Sequence, residues 1–367
     1  MRLCHYCFCY VLLSFILISG CGERFSRYPI PFDEASYEDL QGIELFLEKQ
    51  IKNDPNNVAA GIEKLKLEQK AGWKKDSENL VQTLLKTDSA SAVIRELAAD
   101  YYLNRNMIST SLRHANMAEE LGANSASFYQ LKAILFSRLD KYDEAIDYTN
   151  KAILINRSDY NSYYTKGKIY LALKDTASAL RFMEISLKQD RSNTDLLYQI
   201  CNLYQQRGQY ATALNLINEA IELDQANEQL NIKKAGILQD MKDFMAAKRI
   251  LWTSFYEDVA HTKSGLTLGK LFYDRSNYDS AIVLSNLLTQ RDSTFIDAIL
   301  LRARAYDRKY FLNNAASNYE MLLSIDSTHQ EAQEEMQKVK GKIAYLRRLR
   351  EARESMPVFD IIAPKKN

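Results

Sequence analysis

The chain has 367 residues, of which 48 are basic and 47 acidic, giving a formal net charge of +1. Such a balance supplies no global attraction for nucleic acid or an anionic surface, and the single cysteine beyond Cys21, Cys201, supports no disulfide framework in the body. Gly (12) and Pro (5) are scarce, which favours long helices over a turn-rich sheet, and the length would suffice for two ordinary domains.

Residues 1–20 read as an export segment. Arg2 is followed by an almost unbroken apolar run, Tyr6–Ile18, short of the about 20 residues that a membrane-spanning helix needs. The Cys4–Cys7–Cys9 spacing has a metal-site reading, but it lies inside this run with no second ligand pair. The run ends in Leu17-Ile18-Ser19-Gly20-Cys21, which resembles a bacterial lipobox. The resemblance implies cleavage before Cys21, a diacylglycerol on its thiol and an acylated (palmitate-type) amino terminus. An uncleaved anchor and an ordinary signal peptide are the competing readings. Two or more acyl chains anchor stably where one is marginal. Gly22, in place of Asp, implies sorting to the outer membrane, facing the periplasm. Removing residues 1–20 takes away only Arg2, leaving 47 basic and 47 acidic side chains, so lipid rather than charge would hold the chain at a membrane.

Residues 21–35 carry Pro29 and Pro31 without helical period and read as an extended tether, reaching roughly 40 Å at about 3.3 Å per residue. Ser36-Tyr37-Glu38-Asp39 is a capping box opening a helix through Ile51. From residue 58 the chain repeats every 34 residues, in windows starting at 58, 92, 126, 160, 194, 228, 262 and 296. Position eight reads Leu65, Ala99, Ala133, Gly167, Cys201, Ala235, Gly269, Ala303, and position twenty reads Ser77, Ser111, Ala145, Ala179, Ala213, Ala247, Ala281, Ala315. Position eleven is Glu68 and then apolar or aromatic: Tyr102, Phe136, Tyr170, Tyr204, Leu238, Phe272, Tyr306. Position thirty-one is Asp88, Gly122, Asn156, Asp190, Asp224, Asp258, Asp292, Asp326, with Asp54 one period earlier. These short polar side chains are expected in turns, capping the helix that follows.

Period and columns resemble the tetratricopeptide repeat. That implies an all-α fold, an α-solenoid of about eight helix-turn-helix repeats over residues 36–327, with a half repeat at 36–57 and a capping helix at 328–355. The unit at 58–91 departs through Leu65 and Ser77, and Gly265 stands where a bulky residue is usual. The capping helix, Gln330 to about Glu354, starts acidic and ends with Arg347, Arg348, Arg350 and Arg353, complementing the helix dipole. The tail, 356–367, holds Val358-Phe359-Asp360-Ile361-Ile362 between Pro357 and Pro364; it either packs back on the solenoid or reaches a partner.

Catalytic chemistry finds no frame. His114, His261 and His329 have no metal spacing, and no HExxH, GxSxG, Walker or GxGxxG pattern occurs. Cys201 sits in the small column and reads as packing rather than as a nucleophile. No enzyme activity, cofactor, metal or small-molecule substrate is expected. The resemblance instead implies binding along the first helix of each unit, at positions two, five, nine and twelve. These are Asn161, Tyr164 and Lys168; Asp195, Tyr198, Asn202 and Gln205; Lys263, Lys270 and Tyr273; and Asp297, Arg304 and Asp307. Such a groove suits an extended peptide or a helix. Only Asn202 matches the carboxylate clamp of chaperone-binding relatives. The expected function is a membrane-tethered scaffold or assembly factor binding other envelope proteins or peptides. A glycan-binding lipoprotein is the alternative, weakened because the units run without the large insertion that forms a sugar site.

Overall fold

The computed structural model of the chain describes residues 37–71, 77–258 and 260–354. The export segment, Cys21, the tether, Ser36 of the capping box and the 356–367 tail lie outside them. The described residues form eighteen helices and no strand, in two compact units divided after Gln189. In the first unit, α1 (Tyr37–Asn53) precedes four pairs: α2 (Val58–Lys70) with α3 (Glu78–Thr87), α4 (Ala92–Asn104) with α5 (Ile108–Glu120), α6 (Ala126–Arg138) with α7 (Tyr142–Ile155), and α8 (Tyr160–Ala172) with α9 (Thr176–Gln189). The second holds α10 (Thr194–Gln206) with α11 (Tyr210–Leu223), α12 (Glu228–Asp240) with α13 (Phe244–Glu257), α14 (Thr262–Asp274) with α15 (Tyr278–Arg291), and α16 (Ile296–Arg308) with α17 (Leu312–Ile325). The long α18 (Gln330–Glu354) follows. Every first helix begins on the residue that opens its 34-residue window.

No proline occurs between Pro55 and Pro357, so the helices are ended by turn geometry. Within the seven pairs from α4 onward the turn passes through a left-handed residue at position fifteen: Asn106, Asp140, Lys174, Lys242, Ser276 and Tyr310, with φ from 57 to 64°, and Gly208 at 71°. The third residue past the helix end then donates back to the carbonyl of position eleven, as from Met107 to Tyr102 (2.9 Å) and from Asp243 to Leu238 (2.8 Å). This is the Schellman closure, which satisfies carbonyls the helix end leaves free.

Between pairs the polar column holds the turn as expected but does not cap the helix that follows. The Asp and Asn side chains at position thirty-one accept from the N–H two residues on: Ala90 to Asp88 (3.2 Å), Ser192 to Asp190 (2.8 Å), Thr294 to Asp292 (2.8 Å). Capping of the next helix falls to position thirty-four. There Ser91, Ser125, Asp159, Asn193 and Asn227 accept from the first turn of α4, α6, α8, α10 and α12. Asp and Asn serve both geometries equally well, and only their distance from the helix start separates the roles.

The small columns are where helices meet. Ala99, Ala133, Cys201, Ala235 and Ala303 are fully buried, as are Ala145, Ala179, Ala213, Ala247, Ala281 and Ala315. A methyl group added at Gly167 would lie 2.6 Å from Met183 Cγ and 3.2 Å from the carbonyl oxygen of Ala179, so the close approach requires glycine there. The departures from pattern prove to be matched pairs. Glu68 and Ser77, out of character in positions eleven and twenty, meet in a buried hydrogen bond of 2.7 Å. Gly265 leaves room for the ring of Phe255, which stands 2.5 Å from where its Cβ would be. Ser111 donates its hydroxyl to the Ala99 carbonyl, joining columns twenty and eight.

Each unit has an end cover. In the first, Leu40, Ile43, Leu47 and Ile51 of α1 form one helical stripe against Ala60 and Leu67. In the second, Ala332, Met336, Val339 and Ile343 of α18 pack on Ile299, Ala303 and Leu322. Beyond Ile343 the helix leaves the core, with Tyr345, Leu346 and Leu349 exposed.

Candidate interaction surface

The proposed binding positions occupy one side of the first helices, in different environments. In the first unit Tyr164 is buried (6% exposed), and the exposed Lys168 places its Nζ 4.3 Å from the ring centre. In the second unit Tyr198, Asn202 and Gln205 follow one another on successive turns of α10, all half-buried. Two residues of α12 join them: Lys233 Nζ lies 5.7 Å from the Tyr198 ring, and Asp240 accepts a hydrogen bond from Gln205. Burial pulls the Lys233 ammonium below its ordinary value. A ring, an amide and a partly desolvated cation are thus held at fixed places on two neighbouring repeats.

Further along the unit, Lys270 is exposed, while Tyr273 is half-buried and sits edge-on to Tyr278 at 5.4 Å. Burial raises the Tyr273 phenol, against the nearby charges of Arg308 and Arg304. Arg304 forms an ion pair with Glu331, and Asp307 accepts from Lys342 at 2.7 Å. Both partners belong to α18, so positions nine and twelve of the last repeat hold the covering helix. Cys201, below this surface, is fully buried, and burial pushes its thiol up to about 11. At that value little thiolate exists near neutrality. Among the described residues no group of three His, Cys, Asp or Glu is placed to hold a metal, and no helix is long and apolar enough to cross a membrane.

A second periodic pattern runs along position seven. Position seven is basic in five of eight windows: Lys64, Lys132, Lys166, Lys234 and Arg302. Four of these reach back sixteen residues to a polar side chain on the preceding second helix. Lys64 pairs with Glu48 (3.1 Å), Lys132 with Asn116 (3.3 Å), Lys166 with Asn150 (2.6 Å) and Arg302 with Asn286 (2.8 Å). Lys132, almost fully buried, also pairs with Glu119 and lies 4.7 Å from the Tyr148 ring. The accepting column, position twenty-five, reads Gln82, Asn116, Asn150, Glu184, Asn218, Trp252, Asn286 and Glu320. Seven are polar and one is tryptophan. At Trp252 the rung is absent: position seven of the next unit is Leu268, and a cleft of about 910 Å³ opens between α13 and α15. The sixteen-residue separation of cation and polar acceptor, formed in four of the eight windows, was the available signal, and so was the tryptophan in the accepting column.

The tetratricopeptide repeat profile matches residues 126–159, 160–193 and 194–227, three consecutive windows of the 34-residue period. The protein is therefore an all-α solenoid that carries tetratricopeptide repeats over residues 126–227. No curated protein sequence matches the chain. Solved structures with similar folds include the APC/C hetero-tetramer Cut9–Hcn1, at 16% identity and TM-score 0.49, covering 82% of this chain and 52% of that one. The chain thus spans about half the length of that neighbour. The C-terminal part of a TPR repeat-containing protein from Cytophaga hutchinsonii is 16% identical, with TM-score 0.53, over 64% of this chain and 97% of that one. The human IFIT1 dimer with PPP-AAAA is 14% identical, with TM-score 0.55, over 78% and 69%. At these identities the likeness concerns the fold.

Proposed function

We propose that this protein is a protein-interaction scaffold or assembly factor of a bacterial cell envelope, tethered through a lipid on Cys21 and facing the periplasm from the outer membrane. The observation that carries the binding role is the α10–α12 surface. There Tyr198, Asn202, Gln205 and Lys233 offer a ring, two amides and a cation on a rigid helical support. Rigid aromatics and amides bind extended or helical peptide segments with little loss of side-chain freedom. The one thiol nearby is held protonated by burial. The tether rests on the Leu17–Cys21 box and the apolar run before it.

Two measurements test the two halves of this reading. Cys21→Ser removes incorporation of a labelled lipid precursor and releases the chain from membranes or leaves it unprocessed; unchanged labelling and membrane retention would refute the anchor. Titration of the full chain with envelope polysaccharides gives no heat of binding, whereas saturable glycan binding would move the protein to nutrient capture.

A further inference from the structure

We propose that the cleft at Trp252 receives the Val358–Ile362 segment of a second copy of this chain. Seven of eight repeats place an amide or carboxylate at position twenty-five; the exception, Trp252, stacks on Tyr256 at 4.5 Å and lines the cleft. Met245 (73% exposed), Val283 (57%) and Trp252 (42%) form its apolar rim, with Phe272 at its base. Bulky apolar side chains gathered around a concavity on an otherwise polar face mark a docking site more specifically than scattered ones do.

The charges at the cleft select the occupant. Of its two carboxylates, Asp243 caps α13 by accepting from the Ala246 N–H at 3.0 Å, and Asp279 pairs with Lys309. Its two cations meet no carboxylate among the described residues: Lys248 lies over the Phe272 ring at 5.5 Å, and Arg249 sits near Lys234. The cleft therefore suits an apolar segment carrying one negative charge. Val358-Phe359-Asp360-Ile361-Ile362 has that composition, an aromatic and three aliphatic residues around a single carboxylate, and no described residue accounts for it.

Length decides between the chain's own segment and that of another copy. The first thirteen residues of α18 take the place of a first helix, so residues 343–354 carry its end about 18 Å past the edge of the repeats, at 1.5 Å per residue. From Glu354 to Phe359 is five residues, about 17 Å when fully extended. The cleft lies two to three repeats away and one helix layer across, roughly 20–30 Å at 8–10 Å per packed helix. The segment therefore falls short of its own cleft and is free to enter another. Because cleft and segment are different surfaces, the contact is head-to-tail and propagates into rings or chains.

Two differently tagged forms of the full chain are mixed, one carrying a photoreactive phenylalanine analogue at position 359. Illumination yields crosslinks between copies that map to Met245, Trp252 or Val283. They fall at least about tenfold with Trp252→Glu in the acceptor, or with Asp360→Lys in the donor, as loss of a central anchor or a charge pair would produce. Lys248→Glu with Arg249→Glu in the acceptor restores capture of the Asp360→Lys donor. Trp252 is exposed, so its substitution leaves the helical circular dichroism unchanged; should it unfold the repeat, the charge-reversed pair carries the test alone. Crosslinks confined to one copy, mapping to another surface, insensitive to both sets of substitutions, or made to an unrelated protein at the cleft would each overturn the proposal.

Discussion

Six residues other than glycine occupy the left-handed turn of position fifteen, and their replacement gives the sharpest test of the turn geometry. An L side chain at φ near +60° crowds the following carbonyl, at about 1–2 kcal/mol per residue. Glycine removes that strain but loses more backbone entropy on folding, about 0.5–1 kcal/mol. At Lys174 (φ 62°) and Lys242 (φ 64°), neither of which gains the local hydrogen bonds that make Asn or Asp tolerant, the difference favours glycine. Lys174→Gly and Lys242→Gly are each expected to stabilise by about 0.5–1 kcal/mol. Gly208→Ala, at φ 71°, is expected to destabilise by about 1 kcal/mol. Asn106→Gly and Asp140→Gly should change little. Urea unfolding followed by far-ultraviolet circular dichroism measures the differences, and amide exchange in the affected helix pair shows that the effect is local. Loss of stability in both lysine variants, or no loss in Gly208→Ala, would refute the strain argument.

Three further outcomes follow from particular contacts. Burial, with Arg95 and Arg113 close by, lowers His114 from its ordinary 6.5 to about 4; between those values the unfolded chain binds a proton that the folded one does not. Its contribution, up to about 3 kcal/mol, is complete above pH 6.5 and lost as pH falls to 4, so wild-type stability should decline more than that of His114→Gln between pH 7 and 4.5. Gly167→Ala, which drives a methyl into Met183 and the Ala179 carbonyl, should lose about 1–2 kcal/mol. Gly236→Ala, with nothing within 4 Å, should gain about 0.5–1 kcal/mol; equal effects would remove the special role of position eight. Tyr319 is fully buried, with no partner for its hydroxyl among the described residues, so Tyr319→Phe should leave the melting temperature unchanged or raise it, and a loss above about 1 kcal/mol would reveal a partner.

Periodicity made the fold legible, because each column meets the same neighbours in every repeat. Ala145 through Ala315 could be assigned to helix contacts from their spacing alone, and Cys201 moved from nucleophile to packing by the same count. What spacing alone left open was pairing. Glu68 looked like a flaw in the aromatic column until Ser77 was found bonded to it, and Gly265 looked like a missing side chain until Phe255 filled its place. Each compensation lies on a different helix from its cause, so neither column reveals it alone. The position-thirty-one column lies in the turns its residue types suggest, while capping falls three residues on, because an aspartate that holds a turn is chemically the same as one that begins a helix. The candidate surface was legible by position but not by environment. Tyr164 and Tyr198 share position five, yet one is buried and the other half-buried, and Arg304 is engaged by a capping helix whose contacts the repeat pattern does not specify.

The scaffold role is tested most directly by site-specific photocrosslinking in intact cells from positions 198, 202 and 270 of the full chain. If the first-helix surface is the binding face, each position captures the same small set of envelope proteins. Asn202→Ala or Lys233→Ala then weakens capture from the neighbouring positions while the helical circular dichroism is unchanged. Capture of no protein from any of the three positions, or capture indifferent to those substitutions, would contradict a protein-binding role for this face.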